Sequence, residues 1–219
     1  MNQTLFYYIS NYSIGIAAIV AIFKFKKAAS SFLPFFIFIW LGFANEVLSY
    51  FTAHYLRNTN VNNNIYVLLE SLLLLWQFTC WRLFDSNRLL PKILAAAFVL
   101  FWIAECFIFA DILYVAGYFR VFYSFVIVLL SISMMNQLIT SERGNLLKNA
   151  AFIICIAFVI FFTYKILIEI FYIYGLFTSN REFRLRVFNI MRYINLFCNL
   201  VYAAALLWVP KKSSSLMPS

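Results

Sequence analysis

Charge is scarce in this chain, and so are the residues that bend a backbone or ligate a metal. Of 219 residues, 11% are Asp, Glu, Lys or Arg, and there are only 5 Gly, 4 Pro and 1 His. A soluble domain carries about 25% charged residues and could not hide this much apolar surface at such a length, so a soluble globule is excluded, as are a disordered chain and a collagen-like one. One histidine cannot build the zinc site of a multi-histidine membrane hydrolase. Cys80, Cys106, Cys155 and Cys198 stand singly, with no Cys-x-x-Cys pair, and read as small apolar residues. There is no Gly-x-Ser-x-Gly, and Asp85 and Asp111 fall between apolar runs, so intramembrane serine and aspartyl proteases lack their nucleophiles. No Pro precedes a Gln, which removes the small sugar transporters with Pro-Gln turns. A retinal pigment would need a lysine in the last helix, where Arg192 stands. No cofactor, no metal and no nucleic acid is expected.

What remains is apolar and aromatic: 65% hydrophobic residues, among them 27 Phe, 14 Tyr and 5 Trp. A membrane helix needs roughly 20 mostly apolar residues to cross the hydrocarbon with every amide satisfied internally. Seven such runs fall at about 5–23, 32–56, 64–84, 92–110, 113–135, 150–176 and 188–209, which predicts an all-α fold: a polytopic seven-transmembrane-helix bundle. Residues 1–212 form one membrane domain in this reading, and 213–219 a short polar tail. Pro34 and Pro91 open helices, where a missing N–H costs little, and the polar run Asn58 to Asn64 reads as loop and cap. The basic cluster Lys24-Phe25-Lys26-Lys27 follows the first apolar run, so that run reads as a span and not as a cleaved leader.

Orientation follows from the cations in alternate loops. With the amino terminus outside, ten lie inside (Lys24, Lys26, Lys27, Arg82, Arg88, Lys92, Arg143, Lys148, Lys211 and Lys212) and four outside (Arg57, Arg181, Arg184 and Arg186). That bias predicts an extracytoplasmic amino terminus and a cytoplasmic carboxyl terminus in a multi-pass protein of the cell membrane. The formal net charge of +9 is thereby a topology signal and an attraction to anionic lipid. Tyr7, Tyr8, Tyr55, Tyr114 and Tyr174 would anchor the outer interface, Trp81 and Trp208 the inner one.

Ionisable groups inside spans are costly and mark sites by default. Here they are Glu46, Glu70, Glu105, Arg120, Lys165, Glu169 and Arg192, all at mid-depth or in the outer half, with His54 at the rim. They fall on helical faces: Gly42, Glu46, Tyr50 and His54 in the second span; Tyr66, Glu70, Gln77 and Trp81 in the third; Gly117, Arg120, Ser124 and Ser131 in the fifth. The sixth carries Lys165, Glu169 and Tyr172, and the seventh Arg192, Asn195, Asn199 and Tyr202. The expected interior network is therefore Glu46, Tyr50, His54, Tyr66, Glu70, Glu105, Arg120, Lys165, Glu169, Arg192, Asn195 and Asn199. Four acids meet three cations in it, which leaves one carboxylate to be balanced from outside the chain. Glu105 and Glu169, the acids on the helices that precede them, are the expected partners of Arg120 and Arg192.

Such an interior fits a small-ligand-binding or sensor module that takes a small polar or anionic ligand and acts through a separate membrane or signalling partner. The alternatives are a proton-coupled transporter of small solutes and a structural subunit with no ligand. A continuous polar path would favour transport, a blind cavity binding, and a fully paired dry interior a scaffold.

Overall fold

Described are residues 10, 12–141, 145–175 and 181–211 of a computed structural model. They are helical, with no strand among them. Among the described residues seven α-helices follow one another: α1 (Ile14–Phe25), α2 (Leu33–Tyr55), α3 (Asn60–Cys80), α4 (Leu90–Ile103), α5 (Gly117–Ser141), α6 (Ala150–Ile173) and α7 (Arg181–Leu207). Five stretches among the described residues are long and apolar enough to cross a membrane: Ser30–Tyr55, Leu90–Phe109, Gly117–Ser141, Ala150–Ile173 and Glu182–Leu207. Helix α1 is apolar but shorter, and the expected span at 5–23 lies partly outside the described residues, as do Tyr7, Tyr8 and the tail 213–219. This is the build of a helical membrane bundle.

Helix ends differ from the sequence expectation where side chains take over backbone duties. The Asn58–Asn64 run is mostly helix: the Asn58 side-chain oxygen accepts from the Asn60 N–H at 2.8 Å, and α3 begins there. The asparagines beyond it bond to neighbouring elements. Asn62 donates to Asn45 Oδ1 at 2.8 Å, and Asn64 donates to the carbonyls of Ile112 (3.0 Å) and Tyr114 (2.6 Å). The fourth run ends in a wide turn of π type, Ala104–Phe109, and the connection that follows extends to α5 at Gly117, well past the expected break at Asp111. Pro34 stands in the first turn of α2, where the Phe35 N–H would be an orphan; Gln77 of α3 accepts it at 2.7 Å and donates to the Ser31 carbonyl at 2.7 Å.

Six of the seven helices close a ring. Helix α1 packs on α2, α2 on α3, α3 on α5, α5 on α6, α6 on α7, and α7 back on α1. Helix α4 stands outside the ring against α3 and α5, and its own buried surface is little more than Phe98. The ring's core is aromatic. Phe158 of α6 meets Phe35, Phe38, Phe78 and Tyr202 at centroid separations of 6.2, 6.0, 6.3 and 5.7 Å, mostly edge to face, as ring quadrupoles prefer. Trp81 is also part of this core, packed on Phe78 and Phe32, and so does not serve as the interfacial anchor expected of it. Tyr55, Tyr114, Tyr174 and Trp208 are exposed, as interfacial residues would be.

Candidate ligand cavity

At the end of the ring that holds the start of α3 and α5 lies a cavity of about 380 Å³. Its wall combines six helices. Helix α2 contributes Gly42, Asn45 and Glu46; α3 Asn63, Tyr66 and Glu70; α5 Arg120; α6 Lys165; α7 Arg192, Asn195 and Asn199; Ser10 and Ile14 close it from the α1 side. Phe38 and Tyr202 form its floor, and their rings, 6.0 Å apart, belong to the aromatic core. The absence of a side chain on Gly42 shapes this wall: a Cβ there would come within 2.6 Å of Ile14 Cδ1 and 3.5 Å of the Tyr66 hydroxyl.

Two ion pairs organise the polar wall. Lys165 lies 3.0 Å from Glu70, and both are bonded to the Tyr123 hydroxyl, which donates to Glu70 Oε2 at 2.5 Å and accepts from the lysine. Tyr66 adds a third donor to Glu70, at 3.0 Å. The lysine also lies over the Tyr123, Phe161 and Phe162 rings, 5.0 to 5.7 Å from their centroids. Arg120 pairs with Glu169 at 3.3 Å and donates to Asn64 Oδ1 at 3.3 Å. That pairing replaces the expected one of Arg120 with Glu105. Glu105 instead accepts the N–H groups of Tyr118 (2.9 Å) and Phe119 (2.5 Å), capping α5 from the turn that ends α4. A carboxylate is well placed at a helix amino terminus, where unpaired N–H groups and the helix dipole favour negative charge.

Arg192 donates through Nη1 to Asn189 Oδ1 at 2.8 Å. Asn195 donates to the Ser10 carbonyl at 3.3 Å, and Asn199 to Ser13 Oγ at 2.7 Å, which ties α7 to the α1 side of the cavity. Glu46 has no hydrogen-bond or ion-pair partner among the described residues, although it is half-buried in the wall.

Eight of the twelve expected residues thus share one cavity: Glu46, Tyr66, Glu70, Arg120, Lys165, Arg192, Asn195 and Asn199. Glu169 stands behind Arg120. Tyr50 and His54 do not join it: both are exposed, with the His54 ring set against Tyr55. A step of four residues advances about 40° around a helix, so three steps carry His54 about 120° from Gly42 and out of the interior. Nothing in the sequence singles out Tyr123, one phenol among many aromatics, or Asn45, and Asn63 and Asn64 fall in the polar run that reads as loop and cap.

A second cavity, of about 570 Å³, opens at the opposite end of the ring, between the end of α3 (Trp81, Arg82), the start of α6 (Lys148 to Ala151) and Pro210. The aromatic core separates the two. No cluster of three metal-ligating side chains occurs among the described residues. Comparison with known proteins finds no likeness: no family model, no curated protein and no solved structure matches this chain.

Proposed function

We propose that this chain is a seven-span protein of the cell membrane, amino terminus outside and carboxyl terminus inside, that binds a small polar ligand in its ring cavity and reports the binding to a separate partner chain. The observation that carries the reading is the cavity itself: polar groups from six helices converge on one concave space, with Glu46 left unpartnered in its wall. A network serving structure alone would pair its charges, because an uncompensated charge within a bundle costs several kcal/mol. The aromatic floor supports binding over passage, since Phe38, Tyr202 and Phe158 close the inner end. The size is within the range of small-molecule pockets. In this topology the cavity opens toward the outside, and the basic loops that hold Arg82, Arg88 and Lys148 face the partner and the anionic lipid of the inner leaflet.

One observation favours proton-coupled transport as the second reading: a second cavity opens at the other end of the same ring, with the edge-to-face aromatic core between the two. Cysteine labelling tests the first reading against it. In a background with the native cysteines replaced, Asn195→Cys should react with an impermeant maleimide added to sealed cells, and Ala151→Cys, in the second cavity, should not. Reaction of both from the outside would favour transport. Reaction of Asn195→Cys from the cytoplasm alone would invert the topology, and a reporter fused after Ser219 should be active only in the cytoplasm.

A further inference from the structure

The cavity of about 570 Å³ at the opposite end of the ring gathers cations and hydrogen-bond donors without a matching anion. Arg82, in the turn after α3, and Lys148, just before α6, stand in its wall, and neither has a hydrogen-bond or ion-pair partner among the described residues. No described Asp or Glu lines it. The start of α6 belongs to the same wall. Asn149 accepts the Phe152 N–H at 3.2 Å, but the N–H groups of Ala150 and Ala151 meet no acceptor among the described residues. They stand at the positive end of a 24-residue helix, where free N–H groups and the dipole together favour an anion. An independent sign of a missing acceptor comes from Trp81. It lines the cavity, is only 8% exposed, and buries an indole N–H that nothing among the described residues accepts. A buried donor left unpaired costs about 1 to 3 kcal/mol, a cost that an acceptor bound in the cavity would remove.

We propose that this cavity is a second ligand site and that its ligand is a phosphate monoester with an apolar group, the phosphate held by Arg82, Lys148 and the start of α6. A monoester carries about two negative charges at neutral pH, which the two cations balance, and its three terminal oxygens can accept from guanidinium, ammonium and backbone donors together. A carboxylate brings half the charge and fewer oxygens. Phe32, Met134, Leu138 and Trp208 give the rest of the wall an apolar character that suits an alkyl group and that bare phosphate would leave uncovered. Phosphatidic acid from the bilayer and a soluble alkyl phosphate share this chemistry. The assignment stands apart from the reading of the first cavity.

The test uses the full chain in nanodiscs of phosphatidylcholine, with the thermal unfolding midpoint as readout. Phosphatidic acid is titrated into the disc lipid, and hexyl phosphate into the buffer; phosphatidylglycerol, a diester, and hexyl sulfate are the controls of lower charge. Phosphatidic acid or hexyl phosphate should raise the midpoint. A response to phosphatidic acid alone makes the bilayer the source, and a response to hexyl phosphate makes it a soluble ester. Arg82→Gly and Lys148→Gln should each weaken the response at least about tenfold in ligand concentration, the loss expected when a charged hydrogen-bond partner is removed. Arg82 has a φ of 63° in a turn closed by its own N–H to Thr79 (3.0 Å) and the Leu83 N–H to Phe78 (3.2 Å), a position that favours glycine. Arg82→Gly should therefore keep or raise the unliganded midpoint, which separates lost binding from lost folding. Lys148 is exposed, so its replacement should also leave the fold intact. If neither phosphate probe shifts the midpoint, or if the controls shift it as much, the phosphate assignment is overturned. An undiminished response in either variant would place the phosphate elsewhere and overturn the site. Labelling of Asn195→Cys tests the first cavity separately and is unaffected by any of these results.

Discussion

Lys165 of α6 reaches across the ring to lie 3.0 Å from the Glu70 carboxylate of α3, and the Tyr123 hydroxyl of α5 is bonded to both. One contact therefore joins three helices of the ring at the depth of the cavity wall. A pair this buried adds little net energy as a unit, since desolvation offsets attraction, but breaking it strands a charge.

Lys165→Met should accordingly destabilise the protein by about 3 kcal/mol or more, because the buried Glu70 carboxyl loses its cation. Adding Glu70→Gln should recover part of the loss, whereas in Glu46→Gln nothing is stranded. Unfolding midpoints of the singles and the double in one detergent check this. An additive double mutant would mean that the two side chains do not interact.

Glu105 carries a different prediction. It caps α5 through two N–H groups and is absent from the cavity wall, so its removal should cost stability and spare binding. Glu105→Ala loses both bonds and should cost about 2 kcal/mol, Glu105→Gln less, since an amide oxygen can still accept one. Thermal unfolding reads the cost. A ligand-induced shift that vanished in Glu105→Gln would place this residue in the site after all.

How far the interior could be read from sequence follows from the way each polar residue is used. The stripe of α7 was legible through Arg192, Asn195, Asn199 and Tyr202, all of which line the cavity. These positions alternate steps of three and four, which holds a helical face, whereas the strict four-residue step of Gly42, Glu46, Tyr50 and His54 drifts off it. The pairings were not legible. Glu105 and Arg120 stand on consecutive apolar runs, but a carboxylate that meets a side chain and one that meets a helix start look alike in a string of letters. The Asn58–Asn64 run looked like a loop because asparagine competes for backbone hydrogen bonds; it became helix because Asn62 and Asn64 spend those bonds on other elements. Nor could apolar runs of similar length reveal that α4 stands outside the ring.

Gly42 tests the shape of the cavity. Gly42→Ala places a Cβ against the movable end of Ile14, and the better helix propensity of alanine, about 1 kcal/mol, should offset that crowding. Stability should be nearly unchanged. Gly42→Phe would project a ring into the space between Ile14 and Tyr66 and should abolish ligand-induced stabilisation. Equal ligand shifts in the wild type, Gly42→Ala and Gly42→Phe would put the binding site elsewhere.

The floor of the cavity yields the last prediction, and native thiols can report it. Cys155 and Cys198 are both fully buried, Cys155 within one turn of Phe158 on α6 and Cys198 within one turn of Tyr202 on α7, so a thiol reagent should not reach them in the intact protein. Phe158 contacts five rings of the core, and Phe158→Ala removes the ring common to these contacts. Truncation of a buried Phe costs about 3 to 5 kcal/mol in a close-packed core, enough to let the remaining rings shift and water enter between the two cavities. With Cys80 replaced by serine to remove the more accessible thiol, Phe158→Ala should make Cys155 or Cys198 react with a small methanethiosulfonate, while Phe101→Ala, outside the ring on α4, should not. The same variant separates the two functional readings. A binding module would lose stability and gain no flux, whereas a transporter whose rings act as the barrier would leak solute in a liposome assay. Thiols that stay protected in a folded Phe158→Ala protein would show that the separation of the cavities does not depend on this ring.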